Sequence, residues 1–269
     1  MLGEMSPLFL NLTAVIALLP AVIVSFRQPP RRDLVYWSVM LVALAGPAAW
    51  VFFRDSAGWQ TGLSTALWIT VVVCMIIQIV VAAISDPASK LTPLLLPYLL
   101  LLAILASIWG QAHSRPLESH VPLAWIGTHI AISVITYGLI TVAATASLAA
   151  MFQERALKAK KVSALSRLLP SVADSERLVV RLLLAAEIIL AAGLATGMAT
   201  LYVATGDILV FDHKTVLTIA VFIVVALLLI VHFRTGVRGK VAARLVLLAY
   251  LLFSLGYPGV KFVTDILLA

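Results

Sequence analysis

The chain has 269 residues, 62% of them hydrophobic and 12% charged, with a formal net charge of +7 and a mean hydropathy of +1.10. Soluble domains carry about 45–50% apolar and about 25% charged residues, so the composition excludes a soluble globular enzyme, a disordered chain and a disulfide-framed secreted protein. What fits is a polytopic membrane protein whose only cysteine, Cys74, leaves no internal disulfide and no Cys-rich site.

Apolar runs bounded by charge or turn residues fall at about 7–26, 34–53, 63–84, 91–110, 122–153, 178–203, 214–233 and 242–266. At roughly 20 apolar residues per span, these predict an all-α polytopic bundle of about eight transmembrane helices with no sizeable aqueous domain. The expected organisation is a four-helix segment over 1–110 followed by a second membrane unit over 111–269. Orientation follows from the basic residues, which gather on the cytoplasmic side of a membrane. One set of loops holds Arg27, Arg31, Arg32, Lys90, the run from Arg155 to Arg181 and the run from Arg234 to Arg244. The other side holds only Arg54, Arg115, Lys214 and Lys261. With eight spans, both termini are expected outside. The positive charge is then topological, and a nucleic-acid partner is not expected; the partner is the lipid bilayer.

In chain order, the N-terminus lacks a basic n-region, and Glu4 before the first span with Arg27 after it favours an uncleaved N-out helix over a signal peptide. Pro20, Pro47, Pro97 and Pro258 sit inside spans as candidate kinks. The fifth run is longer than a bilayer needs, so its end, Met151 to Lys161, is expected to project as helix into water. The link 153–177 carries a short apolar stretch, Val162 to Leu169, then Pro170; it reads as a basic tether, with a membrane-surface or partner-binding segment as the alternative. Ser171 with Asp174 three residues on looks like a capping box opening the sixth span. No internal repeat is visible.

Charged groups cost about 2.5–3.5 kcal/mol at the middle of a membrane helix, so intramembrane polar residues are functional candidates by default. His113 and His120 sit in the outer loop, His129 lies about two turns inside the fifth span, His213 marks the outer start of the seventh span and His232 its inner end. Imidazole ligates haem iron and several divalent metals. His129 and His213 are at compatible depths for one haem if spans five and seven are neighbours, whereas about 28 Å of helix separates His213 from His232. Ser133, Thr136 and Ser147 fall within about 40° of the His129 face, counting about 100° per residue. That stripe faces protein rather than lipid, as a ligand helix or simply a packing surface. The plainer readings are a packing role for His129, solvation for His213, His113 and His120, and snorkelling for His232.

Glu187, near the bilayer middle, reads as a lone carboxyl hydrogen-bonded to a neighbouring helix, or as part of a proton or cation relay; Gln78 is the other strongly polar residue at comparable depth. Trp37, Trp50, Trp59, Trp68, Trp109, Trp125, Tyr98 and Tyr202 lie near span ends and read as interfacial girdles. No phosphate loop, HExxH or Ser/His/Asp set is present, so hydrolase and nucleotide-driven functions have no support and the protein is not expected to be an enzyme.

From His120 onward the chain resembles the cytochrome c assembly family, in particular its HemX/YpjD-like branch. The resemblance is carried by Trp125-Ile126-Gly127-Thr128-His129 running to Tyr137, Phe152 to Arg155, Ser175 to Leu178, Ala191 to Gly197, Phe211 to Thr215 and Val231 to Gly239. It implies a bacterial inner-membrane protein in which His129 is an axial ligand of an outer haem and His232 belongs to an inner haem site. The Trp-rich outer loop of the haem-transferring members is reduced here to Asp212-His213-Lys214, and their final outer histidine is replaced by Gly256-Tyr257-Pro258-Gly259.

The function expected is binding or handling of non-covalent haem b in support of cytochrome c maturation or haem supply. The expected partners are haem and other membrane proteins of those pathways. His129 is the first candidate ligand, His213 the second outer ligand or a porphyrin contact, His232 the inner ligand, and His120 the substitute for His213. Two rival readings are a cofactor-free accessory or regulatory protein acting through its basic link, and a small-solute or metal-ion transporter using the outer histidines and Glu187.

Overall fold

A computed structural model describes residues 7–27, 32–55, 60–111, 115–116, 122–161, 163–236 and 239–267. Eight long or moderately long apolar helices account for most of these residues. They are α1 (Pro7–Ser25), α2 (Leu34–Asp55), α3 (Leu63–Ile84), α5 (Thr92–Ile108), α6 (Leu123–Lys158), α8 (Val172–Thr205), α9 (His213–Thr235) and α10 (Lys240–Ser254). The last continues through a π-helical turn at Leu255–Gly259, a short α11 (Val260–Phe262) and a second π segment. Seven are long and apolar enough to cross a membrane, counting Lys240–Ile266 as one, and α5 is the shorter eighth. The expected all-α bundle of about eight spans is therefore what the chain forms. Two single-turn helices, α4 (Asp86–Ser89) and α7 (Ala164–Leu168), sit in links, and two two-residue strands, Gln60–Thr61 and Arg115–Pro116, pair antiparallel.

Helix ends follow local chemistry. Ser171 accepts from the Asp174 N–H and Asp212 from the Thr215 N–H, satisfying donors that a helix start leaves open. Only half of the expected capping box forms, because the shorter Asp174 side chain meets the Ser171 hydroxyl, which donates to it at 2.7 Å, rather than the backbone. Gly206 and Gly236 close α8 and α9 with φ of 82° and 68°, each N–H reaching back to the carbonyl four residues earlier.

The helices alternate in direction, so Arg27, Arg32, Lys90 and the basic residues from Lys158 to Arg177 collect at one end of the bundle with His232. The Gly206–His213 loop lies at the opposite end. α1 packs on α2 and α5, α3 joins that group to α6, and α6 packs on α8 and α10, with α9 between α8 and α10. α6 is the most buried long helix. Its Gly138 meets α3 so closely that a Cβ there would lie 2.7 Å from Ile77 Cδ1.

The link after α6 is more ordered than a tether. Leu168 and Leu169 are buried, and Gln153 Nε2 donates to the carbonyls of Ser166 (2.7 Å) and Leu169 (3.0 Å). Leu165, Leu168 and Leu169 are thus spent on the bundle. The fifth-span extension is helical to Lys158, as expected, with Glu154 and Lys158 paired one turn apart.

Candidate functional site

The face of α6 that carries His129 meets α8 through matched side chains four residues apart on each helix. Trp125 Nε1 donates to Thr200 Oγ1 at 2.8 Å, and one turn deeper His129 Nδ1 lies 3.0 Å from Thr196 Oγ1. A hydroxyl has one proton to give. Thr200 gives its proton to the Thr196 carbonyl (2.7 Å) and Thr196 gives its own to the Gly193 carbonyl (3.1 Å). With the Thr196 proton on the Gly193 carbonyl, Thr196 Oγ1 accepts from the ring and neutral His129 carries its proton on Nδ1. That leaves the Nε2 lone pair available, the arrangement of metal-binding histidines whose second nitrogen donates to a nearby oxygen.

Gly197 lets the ring lie against α8: a Cβ there would stand 3.0 Å from His129 Cε1, and one at Gly193 would stand 3.2 Å from Ile132 Cγ2. The small-residue pair Gly193/Gly197 thus serves a contact within the chain.

On its other side His129 borders a cavity of about 440 Å³ between α6, α8, α9 and α10. That volume falls within the roughly 300–1,000 Å³ of cofactor-scale pockets. The walls are chiefly apolar, with Leu190, Leu194, Leu201, Leu252 and Phe253 among them. Polar groups come from His129, Ser133, Thr136, Thr215, Thr218 and Tyr257, with Asp212 and Lys214 toward the Gly206–His213 loop. Partial burial pushes the Asp212 carboxyl up, but hydrogen bonds from Thr215 and the neighbouring His213 and Lys214 outweigh it and hold the group below the usual carboxylate range.

Of the other predicted histidines, the two that are described, His213 and His232, are apart from this wall. His213 is exposed at the first turn of α9 and is not among the cavity-lining residues, although both its neighbours are. α9 packs on α8 and α10 rather than directly on α6, so the cavity stands between spans five and seven. His113 and His120 lie outside the described residues. His232 lines a separate space of about 30 Å³ at the basic end, with Ser147 and Glu176. That is room on the scale of one water. Glu176 Oε1 there accepts from the Gly239 N–H at 2.8 Å. The stripe on α6 thus divides: Ser133 and Thr136 line the large cavity, Ser147 the small one. Among the described residues no group of three or more His, Cys, Asp or Glu is placed to hold a metal ion.

Several polar residues take roles that composition alone hides. Tyr98, Tyr137, Tyr250 and Tyr257 form a cluster in which the Tyr98 and Tyr250 hydroxyls are 2.6 Å apart and Tyr137 bonds Ser254 at 3.0 Å. The Tyr137 ring contacts those of Tyr250, Phe253 and Tyr257, at centroid separations of 6.1, 5.6 and 5.6 Å. Tyr98 is therefore an interior residue, not a girdle one. So are Trp50 and Trp68, which stack at 5.2 Å in the core, Trp50 Nε1 donating to the buried Asn11 Oδ1 at 2.6 Å. Their depth suits a girdle, but Trp50 points inward to Asn11, which supplies the acceptor that lipid cannot, and Trp68 stacks on it with its own Nε1 unpaired. Gln78 Nε2 donates to Ala88 O. Glu187 departs from the expected bond to a neighbouring helix: both carboxyl oxygens are buried without a hydrogen-bond partner. The α10 cluster was readable in part, since Tyr250, Phe253 and Tyr257 follow the i, i+3, i+7 spacing of one helix face.

The profile of the family described as cytochrome C assembly protein matches residues 34–268, well beyond the stretch from His120 onward. A protein of Azospirillum brasilense, described as an uncharacterized 28.8 kDa protein in a nifR3-like 5′ region, is 52% identical over 263 residues, covering 96% of this chain and 97% of that protein. No solved structure matches.

Proposed function

From the premise that the chain belongs to the cytochrome c assembly protein family, we propose that it binds and handles non-covalent haem in the cavity beside His129, in support of cytochrome c maturation or haem supply. The observation that carries this reading is the His129 imidazole itself, held by Thr196 with Nε2 free and bordering an apolar cavity of about 440 Å³. The residues present fit the group. An apolar wall suits the porphyrin, a neutral imidazole supplies an axial ligand, and Lys214 at the loop end supplies a cation for the porphyrin carboxylates. Haem would bring its iron and redox chemistry; the chain's own residues orient the ligand, exclude lipid and fix the tautomer of His129. No catalytic role is proposed.

His213, exposed beside the cavity, is assigned as a rim contact rather than an iron ligand. Binding at His232 would require α9 and α10 to part, because the space there is about 30 Å³. The basic loops favour a bacterial inner-membrane placement with both termini outside, and the HemX/YpjD-like branch is our reading of the family position. The test is an oxidised and dithionite-reduced absorption spectrum of the detergent-purified protein, as isolated and with haemin, beside His129→Ala. A Soret band with sharp reduced α and β bands, lost in the variant, supports the proposal. A featureless spectrum unchanged by haemin rejects it and turns attention to a cofactor-free role.

A further inference from the structure

The cavity has a second ligand-type side chain without a partner. Of the four clustered tyrosines, Tyr98, Tyr137 and Tyr250 have their hydroxyls hydrogen-bonded. Tyr257 lines the cavity, and its hydroxyl meets no hydrogen-bond partner among the described residues. A phenol facing an apolar space without a partner is costly, and buried tyrosine hydroxyls ordinarily find one. Its placement is also unusual. Tyr257 sits in the π-helical turn Leu255–Gly259, where Pro258 removes a backbone donor, and π-turns inside helices gather at functional sites. The ring is carried by the turn that extends α10 and lies against Tyr137 of α6, whereas His129 stands on α6 against α8. The other ionisable residues of the lining are less suited: Asp212 already caps α9 and Lys214 is a cation.

We propose that Tyr257 is an oxygen ligand to the ferric iron of the haem bound in this cavity. The inference rests on the haem reading above and extends it to a ligand pair. Charge supports the assignment. A ferric porphyrin core carries one net positive charge, the imidazole is neutral, and a phenolate makes the core neutral inside an apolar wall that penalises net charge. Forming the bond releases the phenolic proton to solvent while the oxygen lone pair is donated to iron. On one-electron reduction by an added donor the phenolate would leave the core anionic, so Tyr257 would take a proton back and release the iron. Tyrosinate is an established class of haem ligand.

The experiment uses the full-length protein in detergent with added haemin, as wild type, Tyr257→Phe, Tyr257→His and His129→Ala, each checked for monodispersity. Expected for wild type is an iron–phenolate vibration in the resonance Raman spectrum of the ferric form, absent after dithionite. Tyr257→Phe keeps the Soret band, loses that vibration and shows a higher reduction midpoint, because a ligand favouring the ferric state is gone. Tyr257→His converts the ferric spectrum to a low-spin, two-imidazole type, which also guards against a Phe variant that fails to fold. A Phe variant whose ferric spectrum and midpoint match wild type overturns the ligation while leaving haem binding intact. Absence of any Soret band in wild type overturns the haem reading and this inference with it.

Discussion

Gly197 provides a sharp test of the His129 wall, because one added methyl should weaken binding while leaving stability nearly unchanged. A Cβ at this position would lie 3.0 Å from His129 Cε1 and 3.7 Å from both ring nitrogens. Carbon atoms pack best at about 3.5–4.0 Å, so the ring must retreat by roughly 0.5 Å, and the cavity on its far side gives it room. That retreat stretches the 3.0 Å contact to Thr196 Oγ1 beyond useful hydrogen-bond range, at a net loss of about 1 kcal/mol. Replacing a mid-helix glycine by alanine returns about 0.5–1 kcal/mol of backbone entropy. Thermal stability of Gly197→Ala without ligand should therefore stay close to wild type. Binding should not, because sites tolerate about 0.5 Å of misplacement and loss of a ligand's outer partner costs about 10–100-fold in metal affinity. We expect haemin affinity to fall by about tenfold, close to 1.4 kcal/mol, in a Soret titration. Gly127→Ala is the control: a Cβ there meets nothing within 4 Å, so it should stabilise slightly and bind as wild type. Unchanged haemin affinity in Gly197→Ala would refute the claim that the ring is fixed against α8 in its binding position.

Four further outcomes follow from the same geometry. Thr196→Val keeps the shape but removes the Nδ1 acceptor, so haemin affinity should drop about 10–100-fold and recover in Thr196→Ser; titration of the three proteins decides it. Asp212→Ala should cost about 1 kcal/mol through loss of the α9 cap, read as a lower Tm in detergent. Because the folded Asp212 carboxyl is held below its ordinary value, its contribution is complete above about pH 4 and is lost as pH falls through the lowered value, so the variant's stability should vary less across that range. Gln153→Leu leaves the Ser166 and Leu169 carbonyls without their donor, and limited proteolysis between Ala159 and Pro170 should accelerate severalfold. In a Cys74→Ser background, Asp207→Cys should react with an impermeant maleimide in intact cells and Ser163→Cys only after permeabilisation, while native Cys74, fully buried, should not react in either; the reverse pattern would overturn the proposed orientation.

How much of this was legible depends on whether a property is local. Runs of apolar residues report directly on the solvent around a helix, so the span positions follow from the sequence. The sixth span needs both signals: hydropathy alone starts the run near 178, whereas the expected cap at Ser171 marks where α8 begins, at Val172. Glu176 and Arg177 end the apolar run without ending the helix, which Ser171 starts by capping. Rotation about the helix axis is a different matter. Trp50 and Trp68 sit at the depth expected of girdle residues, yet they stack inside, where Asn11, 39 residues before Trp50, accepts the Trp50 indole proton. The pairing of Trp125 with Thr200 and of His129 with Thr196 is encoded as matching four-residue intervals on two helices, but reading it requires knowing that α6 and α8 are antiparallel neighbours. Tyr257 is the harder case. Its significance comes from a π-turn and from the absence of a partner, neither of which has a signature in composition.

Unsatisfied polar groups point to a site only when space lies beside them. Tyr36, Trp68, Gln78, Ser175 and Glu187 each keep a buried polar atom without a partner, and none of the five lines the large cavity. Packed helices surround those atoms, so they mark costs of the fold rather than places for a ligand. His129 Nε2 and the Tyr257 hydroxyl differ from them in bordering about 440 Å³ of apolar-walled space. The two side chains sit on different elements, one tied to α8 by Thr196 and the other in tilted ring contact with Tyr137. Each is fixed by neighbours that contribute little else to the cavity. A bundle selected only for packing would bring a small or apolar residue to each of these positions, since both are expensive in a membrane. Their joint presence around one cavity is the physical reason to place the function at this end of the bundle, and it makes the pair His129 and Tyr257, rather than the five histidines as a set, the place where mutation should separate binding from folding.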